Sequence, residues 1–478
     1  MSVSATSLAS LDACAQVELV RTGEVSALEL TDAAIERIER LNPLLNAVVS
    51  FDFDQARRRA RVVSKDALFG GVPTLIKDVL PYPGLPLGMG GRFLPQFPMP
   101  SGSPYTDALD AAGLVVLGKS ATSEFALLGT TEPVGGKPVR NPWNLSLSSG
   151  GSSGGAVAAV ASGMVPIAHA SDGGGSIRGP SSFCGLFGFK PSRGRTQSNG
   201  LPESSPSVQF LSEHCVSRSV RDSLAWLQAT ERQDNHQHMP SLDELRANRR
   251  PFRIGVYRND GFGNAPDPDA AAGLELAMRT CEALGHSVVE ISSPPIDTKA
   301  ASEAFFTLSA SMVAGGLEFF RSMLGSAYNE DNLEPYTREL AKRARAMPQE
   351  ACIRALETLS SAAAVAKGTM AGFDVLLCPT VGFPAFELGR YTPDKDVEEL
   401  NAFIVRVASY TFPASLAGWP AMSMPLYWTH AGLPLGSHFS AATGNDALLF
   451  SLALQLEEAL PWQPRFGSLM DRLYAATA

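Results

Sequence analysis

Two serine-bearing glycine runs dominate this chain: Gly150-Gly151-Ser152-Ser153-Gly154-Gly155 and Gly173-Gly174-Gly175-Ser176. Between them lies a run of small apolar residues, Ala156 to Ala161. Glycine loses more backbone freedom on folding than any other residue, so such density is expensive to order. A chain retains it where backbone must pass close to a neighbour, or where amide N–H groups converge on an anion. Asp172 opens the second run and Ser176 closes it. A hydroxyl beside a row of main-chain donors is the pairing that acyl transfer requires.

Further motifs sit in a fixed order around these runs. Upstream is Gly71-Val72-Pro73-Thr74-Leu75-Ile76-Lys77-Asp78, and downstream is Gly185-Leu186-Phe187-Gly188-Phe189-Lys190-Pro191. Lys77 precedes Ser152 by 75 residues (152 − 77), and Ser152 precedes Ser176 by 24 (176 − 152). In order and spacing these motifs resemble the amidase signature family. The likeness extends through Gly23–Asn46, Gly118–Ala126, Asn141–Asn144 and Pro420–Glu457, nearly the whole chain. Within that family, Thr130–Pro133, Arg140–Leu145 and Gln455–Trp462 look most like the 6-aminohexanoate cyclic-dimer hydrolases.

The resemblance implies a hydrolase that cleaves carboxamide C–N bonds with no cofactor or metal. It assigns Ser176 as the nucleophile of an acyl-enzyme, Lys77 as base, and Ser152, after a cis peptide bond, as the proton relay between them. Main-chain N–H groups of Gly173, Gly174, Gly175 and Ser176 would form the oxyanion hole. Ser153 would bond within the site, and Asp172 would orient the loop by accepting amide hydrogen bonds. Arg178 would pair with a buried carboxylate, with Glu124 as the partner considered. Lys77 has to be neutral to act as a base, and the apolar run before it favours the burial that lowers a lysine pKa. The abundance of Phe, 24 residues, leans the substrate toward apolar or aryl amides. The alternative is an A-type component of an amidotransferase complex. The S-L-D-x-x-G-P segment of such proteins is replaced here by Val208–Cys215, which counts against it. Ala170 and Ser120-Ala121 also depart from the usual glycine and Thr-Asn, without touching an assigned catalytic residue.

Composition narrows the remaining classes. The chain is 45% hydrophobic and 18% charged, which suits a large buried core. Its net charge is −9 with no basic block, which excludes a nucleic-acid footprint. Six cysteines are scattered without C-x-x-C spacing and read as reduced thiols. The stretch Ala156–Ala170 is interrupted by Gly163 and Pro166 and is no membrane span. With no signal peptide evident, the expectation is a cytoplasmic enzyme acting on a small-molecule amide and water, with a homodimer left open.

Periodicity predicts an α/β fold: a large mixed, mostly parallel twisted sheet with helices on both faces. Ser26 and Glu29 form a capping box for a helix ending near Asn42-Pro43. Strands are expected at Ala47–Val49, Thr74–Ile76, Leu114–Leu117, Met164–Ile167, Arg253–Val256 and Asp374–Pro379. No repeat or long linker divides the chain. One domain over 1–478 is therefore expected, with a signature region at 71–195 and a helical insertion at about 299–371 that shapes the pocket together with the loop 81–105. Gly113-Leu114-Val115-Val116-Leu117-Gly118-Lys119-Ser120 matches a phosphate-loop pattern letter for letter. That motif requires a flexible loop between its glycines, whereas this stretch reads as a strand, so Lys119 is an ordinary strand-end residue. His169 reads as a packed loop residue, and His236-x-His238 lacks the cysteine neighbours of a metal site.

Overall fold

The structure, a computed structural model, describes residues 5–202, 205, 209–235 and 237–477. Val208 and His236 lie outside them. A three-stranded sheet holds β1 (Val48–Phe51), β2 (Pro73–Lys77) and β3 (Val115–Ser120) in the order β1-β3-β2. A short hairpin pairs β4 (Arg140–Asn141) with β5 (Asn144–Ser148). The large sheet contains β6 (Ile167–Asp172), β7 (Phe187–Lys190), β8 (Ser212–Ser217), β9 (Arg253–Val256), β10 (Ser287–Glu290), β11 (Val375–Pro379), β12 (Ala421–Trp428) and β13 (Pro434–Ser440). Their spatial order is β10-β9-β11-β13-β12-β7-β8-β6.

The α/β class and the large mixed sheet are as expected, but the sheet is not mostly parallel. Only β10–β9 and β9–β11 pair in parallel, while every pair from β11 across to β6 is antiparallel. Two connections explain the difference. A tight turn after Trp428, closed by Leu433 N donating to Thr429 Oγ1 at 3.2 Å, makes β12 and β13 a hairpin. β6 and β7 do run in the same direction through the helix Arg178–Cys184, but β8 inserts between them and opposes both. Alternation along the sequence reveals a crossover; it does not reveal which strand later fills the gap.

Local expectations mostly hold. Ser26 caps its helix with Glu29 reciprocating, the two bonds measuring 3.2 and 2.8 Å. That helix runs on to Leu45, past Pro43, because Asn46 closes it in a left-handed conformation (φ 56°) by donating to Asn42 O. The strand expected at Met164–Ile167 starts only at Ile167, since Gly163 (φ 77°) turns the chain and Met164–Pro166 complete the turn. His169 is therefore a strand residue, not a loop residue. The insertion is helical, as helices Thr298–Leu324, Pro335–Ala346 and Gln349–Thr369. Among the described residues, no helix is long and apolar enough to cross a membrane.

The main core lies where the helices Ala27–Leu45 and Gly154–Ala161 pack against the sheets. Every residue of Gly154–Ala161 is buried. A Cβ on Gly155 would lie 2.5 Å from the Ala47 carbonyl and also collide with the Ala121 backbone. Alanine normally stabilises a helix interior by about 1 kcal/mol over glycine. Here backbone collision outweighs it, and we expect Gly155→Ala to lower stability by about 3 kcal/mol, read as a lower urea midpoint.

Candidate active site

The site is built where β2 and β6 end side by side. β2 delivers Lys77 at its last position, fully buried. The Lys77 N–H donates to His169 Nδ1 on β6 at 3.2 Å, and Thr74 Oγ1 donates to the Ile167 carbonyl at 3.0 Å. These two bonds join strands that share no ladder. The Lys77 side chain then reaches Ser152 Oγ at 2.7 Å and Ser171 Oγ at 3.0 Å. Burial is the dominant influence on its ammonium and lowers the pKa to about 7, against the opposing charges of Glu213 and Asp172. Near neutral pH, Lys77 therefore holds a substantial neutral fraction.

Ser152 precedes the helix Gly154–Ala161, and the Gly151–Ser152 peptide is cis. Ser153 donates to the Ser171 carbonyl at 3.3 Å, tying the serine loop to the end of β6. After Asp172 the chain leaves the sheet through Gly173, Gly174, Gly175 and Ser176, all only partly buried. The N–H groups of these four residues donate to nothing among the described residues. Successive backbone N–H groups left unpaired at an accessible turn are the kind of donor row that can form an anion-binding concavity. The Ser176 hydroxyl makes no hydrogen bond among the described residues, so the structure joins Lys77 to Ser152 and leaves Ser176 unlinked at the open end.

Asp172 holds this loop in place. It accepts from Ile177 N at 3.1 Å and makes a two-pronged ion pair with Arg178 at 2.8 and 2.9 Å. Burial alone would raise its carboxyl, but the charge and hydrogen bonds of Arg178 outweigh that and hold it below the usual range. Arg178 thus pairs with a buried carboxylate as expected, but the partner is Asp172 and not Glu124. Glu124 instead accepts from Glu334 N at 2.9 Å, at the start of an insertion helix. The remaining Arg178 donors reach the Thr411 carbonyl (2.7 Å), His438 Nε2 (2.9 Å) and Ser415 Oγ (2.9 Å).

Sequence reading missed Ser171, His169, Glu213 and Thr411. Ser171 could have been found from alternation on β6, which turns it to the same side as His169. His169 Nδ1 accepts the Lys77 amide, so its proton sits on Nε2 and is donated to Glu213 at 2.9 Å. Burial holds this imidazole below its ordinary range, in keeping with a neutral ring. Lys119 lies near the end of β3, fully buried and donating to the Leu80 carbonyl, and β3 occupies the stretch a phosphate loop would need.

A Cβ on Gly174 would lie 3.8 Å from the Phe412 ring, and Phe305 of the helix Thr298–Leu324 packs on Phe412 edge to face at 5.1 Å. Phe93 from the loop 81–105 stacks on Phe125 at 5.2 Å, with Phe320 of the insertion at 5.9 Å.

A family model described as Amidase matches residues 29–450. The chain belongs to the amidase family. A 6-aminohexanoate-cyclic-dimer hydrolase of Pseudomonas sp. (strain NK87) is 34% identical, over 96% of this chain and 97% of that protein. A solved structure of 6-aminohexanoate cyclic dimer hydrolase superposes with a TM-score of 0.89 at 34% identity, covering 97% of this chain and 99% of that one. The A-type component of the glutamyl-tRNA(Gln) amidotransferase of Synechococcus sp. (strain WH7803) is 32% identical, over 91% of this chain and 94% of its own length. As a member of the family, this amidase is a hydrolase acting on carbon–nitrogen bonds.

Proposed function

We propose that this chain hydrolyses an apolar or aryl carboxamide, linear or cyclic, through an acyl-enzyme on Ser176. The observation that carries the reading is the buried Lys77–Ser152 hydrogen bond beside four unpaired amides. Neutral Lys77 takes the Ser152 proton as Ser152 takes that of Ser176. The Ser176 oxygen attacks the amide carbonyl, and the carbonyl oxygen gains its negative charge facing the N–H groups of Gly173 to Ser176. Preorganised donors there cost no reorganisation when the charge develops. The proton then returns through Ser152 to the departing amine, and water repeats the sequence to release the acid. Ser153, Asp172 and Arg178 hold the two loops in register. Phe412 beside Gly174, with Phe305 packed on it, supplies apolar surface for the acyl group, and the likeness to a cyclic-amide hydrolase supports the same substrate class.

The test is covalent capture. A fluorophosphonate probe is expected to add one label to the wild type, mapping to Ser176, and none to Ser176→Ala. A label elsewhere, or a fully labelled Ser176→Ala, would remove Ser176 from the mechanism. The amidotransferase reading draws on the 32% relative but lacks the S-L-D-x-x-G-P segment. Hydrolysis of simple anilides by the isolated chain is the expected result, and it separates the two.

A further inference from the structure

We infer that Thr411 is a positioning residue for catalysis: its hydroxyl clamps the Gly174 carbonyl and thereby aims the Gly175 N–H into the oxyanion hole. The inference rests on the acyl-enzyme reading above and narrows it to particular donors. Thr411 Oγ1 donates to the Gly174 carbonyl at 2.6 Å, with a longer contact to Ala408 O at 3.3 Å. The Gly174–Gly175 peptide is trans, so its N–H points opposite to its C=O. Fixing the carbonyl toward Thr411 therefore turns the Gly175 N–H away, toward the open side of the loop. The next peptide is pinned in the same manner, since Gly179 N donates to the Gly175 carbonyl at 2.7 Å. The Ser176 N–H is left facing out as well. Both N–H groups are unpaired among the described residues, as a waiting donor pair would be.

The clamp is itself braced. Thr411 is fully buried, its N–H donates to Ala408 O at 3.0 Å, and its carbonyl accepts from Arg178 at 2.7 Å. Arg178 also grips Asp172, which accepts the amide just after Ser176. One guanidinium therefore sets the distance between the clamp and the loop it holds. Gly175 sits at φ 149°, and a Cβ there would lie 2.5 Å from Thr411 Oγ1, so glycine is required for the hydroxyl to come this close. The following residue, Phe412, borders Gly174 and packs on Phe305. The same corner of chain thus orients the donors and sets an apolar ring beside Gly174.

The test uses phosphonylation of the full-length chain by a fluorophosphonate, whose tetrahedral adduct places an oxygen where the oxyanion forms. Thr411→Val replaces the hydroxyl by a methyl, and Thr411→Ser retains it. For T411V the rate constant kinact is expected to fall roughly 10- to 100-fold with KI changed less than about twofold, a smaller loss than deleting a donor outright. T411S is expected to recover to within about threefold of wild type, because orientation and not bulk is at stake. A folded T411V with unchanged kinact overturns the clamp, as does a T411S as slow as T411V. Should T411V fail to fold, Thr411→Ala carries the same expectation and the same refutation. Ser176→Ala, run in parallel, keeps the inferences apart. If it still labels, the acyl-enzyme reading is at fault; if it does not and T411V labels normally, only the clamp fails.

Discussion

Lys77→Met is expected to abolish amide hydrolysis while raising the stability of the fold at pH 7. Unfolded, the lysine titrates at 10.5; buried, it titrates at about 7. The folded state therefore binds its proton more weakly, and at pH 7 this withholds roughly 4 kcal/mol from stability. For a base whose pKa is depressed on folding, the deficit is complete below about pH 7 and disappears as pH rises toward 10.5. Methionine fills a similar volume with no charge to desolvate. It forfeits the bonds to Ser152 and Ser171, each worth about 1 kcal/mol. The net is a gain of about 2 kcal/mol by the same reckoning, enough to be seen in a thermal melt. Its advantage should shrink steadily between pH 7 and 10. Activity should fall by about four orders of magnitude, the loss typical of breaking a catalytic unit. A destabilised Lys77→Met at pH 7 would mean that the lysine is held charged by Glu213 and Asp172, and that it is not the base.

The same titration sets the pH profile of the wild type. If neutral Lys77 is the working form, kcat/KM rises with pH through about 7 and then levels. His169 lies against the Lys77 backbone but is held neutral by burial, so it does not add a second limb in that range.

The candidate constellation of Lys77, Ser152 and Ser176 was legible because each piece carries a local signature. Lys77 ends an apolar run that had to be a buried strand, and Ser152 and Ser176 sit in glycine runs with few other uses. What escaped was set by distant chain. Thr411 is separated from the loop it clamps by more than two hundred residues, and nothing in Tyr410-Thr411-Phe412 marks it as anything but a helix junction. Glu124 looked a fair partner for Arg178 because it lies in a family segment. Asp172 won since the five residues between it and Arg178 bring both charges to one buried point, a short-range solution hidden by assigning Asp172 to the backbone alone. In fact it does both. The antiparallel bias of the sheet was hidden for a related reason: β8 enters between β6 and β7 although it follows both in the chain.

That double duty gives Asp172 a part in both the glycine loop and the ion pair with Arg178. It is fully buried, and so is Arg178. Removing one member of such a pair leaves an uncompensated charge in a dry interior, at a cost of about 3–5 kcal/mol. Asp172→Ala should therefore lower the urea midpoint sharply and, by freeing the amide of Ile177, let the glycine loop drift, so that the loss of kcat exceeds any change in KM. Arg178→Ala should cost at least as much, since it also strips donors from Thr411, His438 and Ser415. The double variant is the sharper measurement. With both charges gone there is nothing left to desolvate, so its destabilisation should fall well short of the sum of the two singles. Acid should reproduce the first of these effects. The folded carboxyl titrates below the usual value of 3.8, so the pair contributes fully above that pH and its contribution is lost as pH drops through the lower, folded value. Additive single and double effects would mean that Asp172 and Arg178 act separately, one on the loop and one on the Thr411 corner, and that the bridge between them carries little of the site's order.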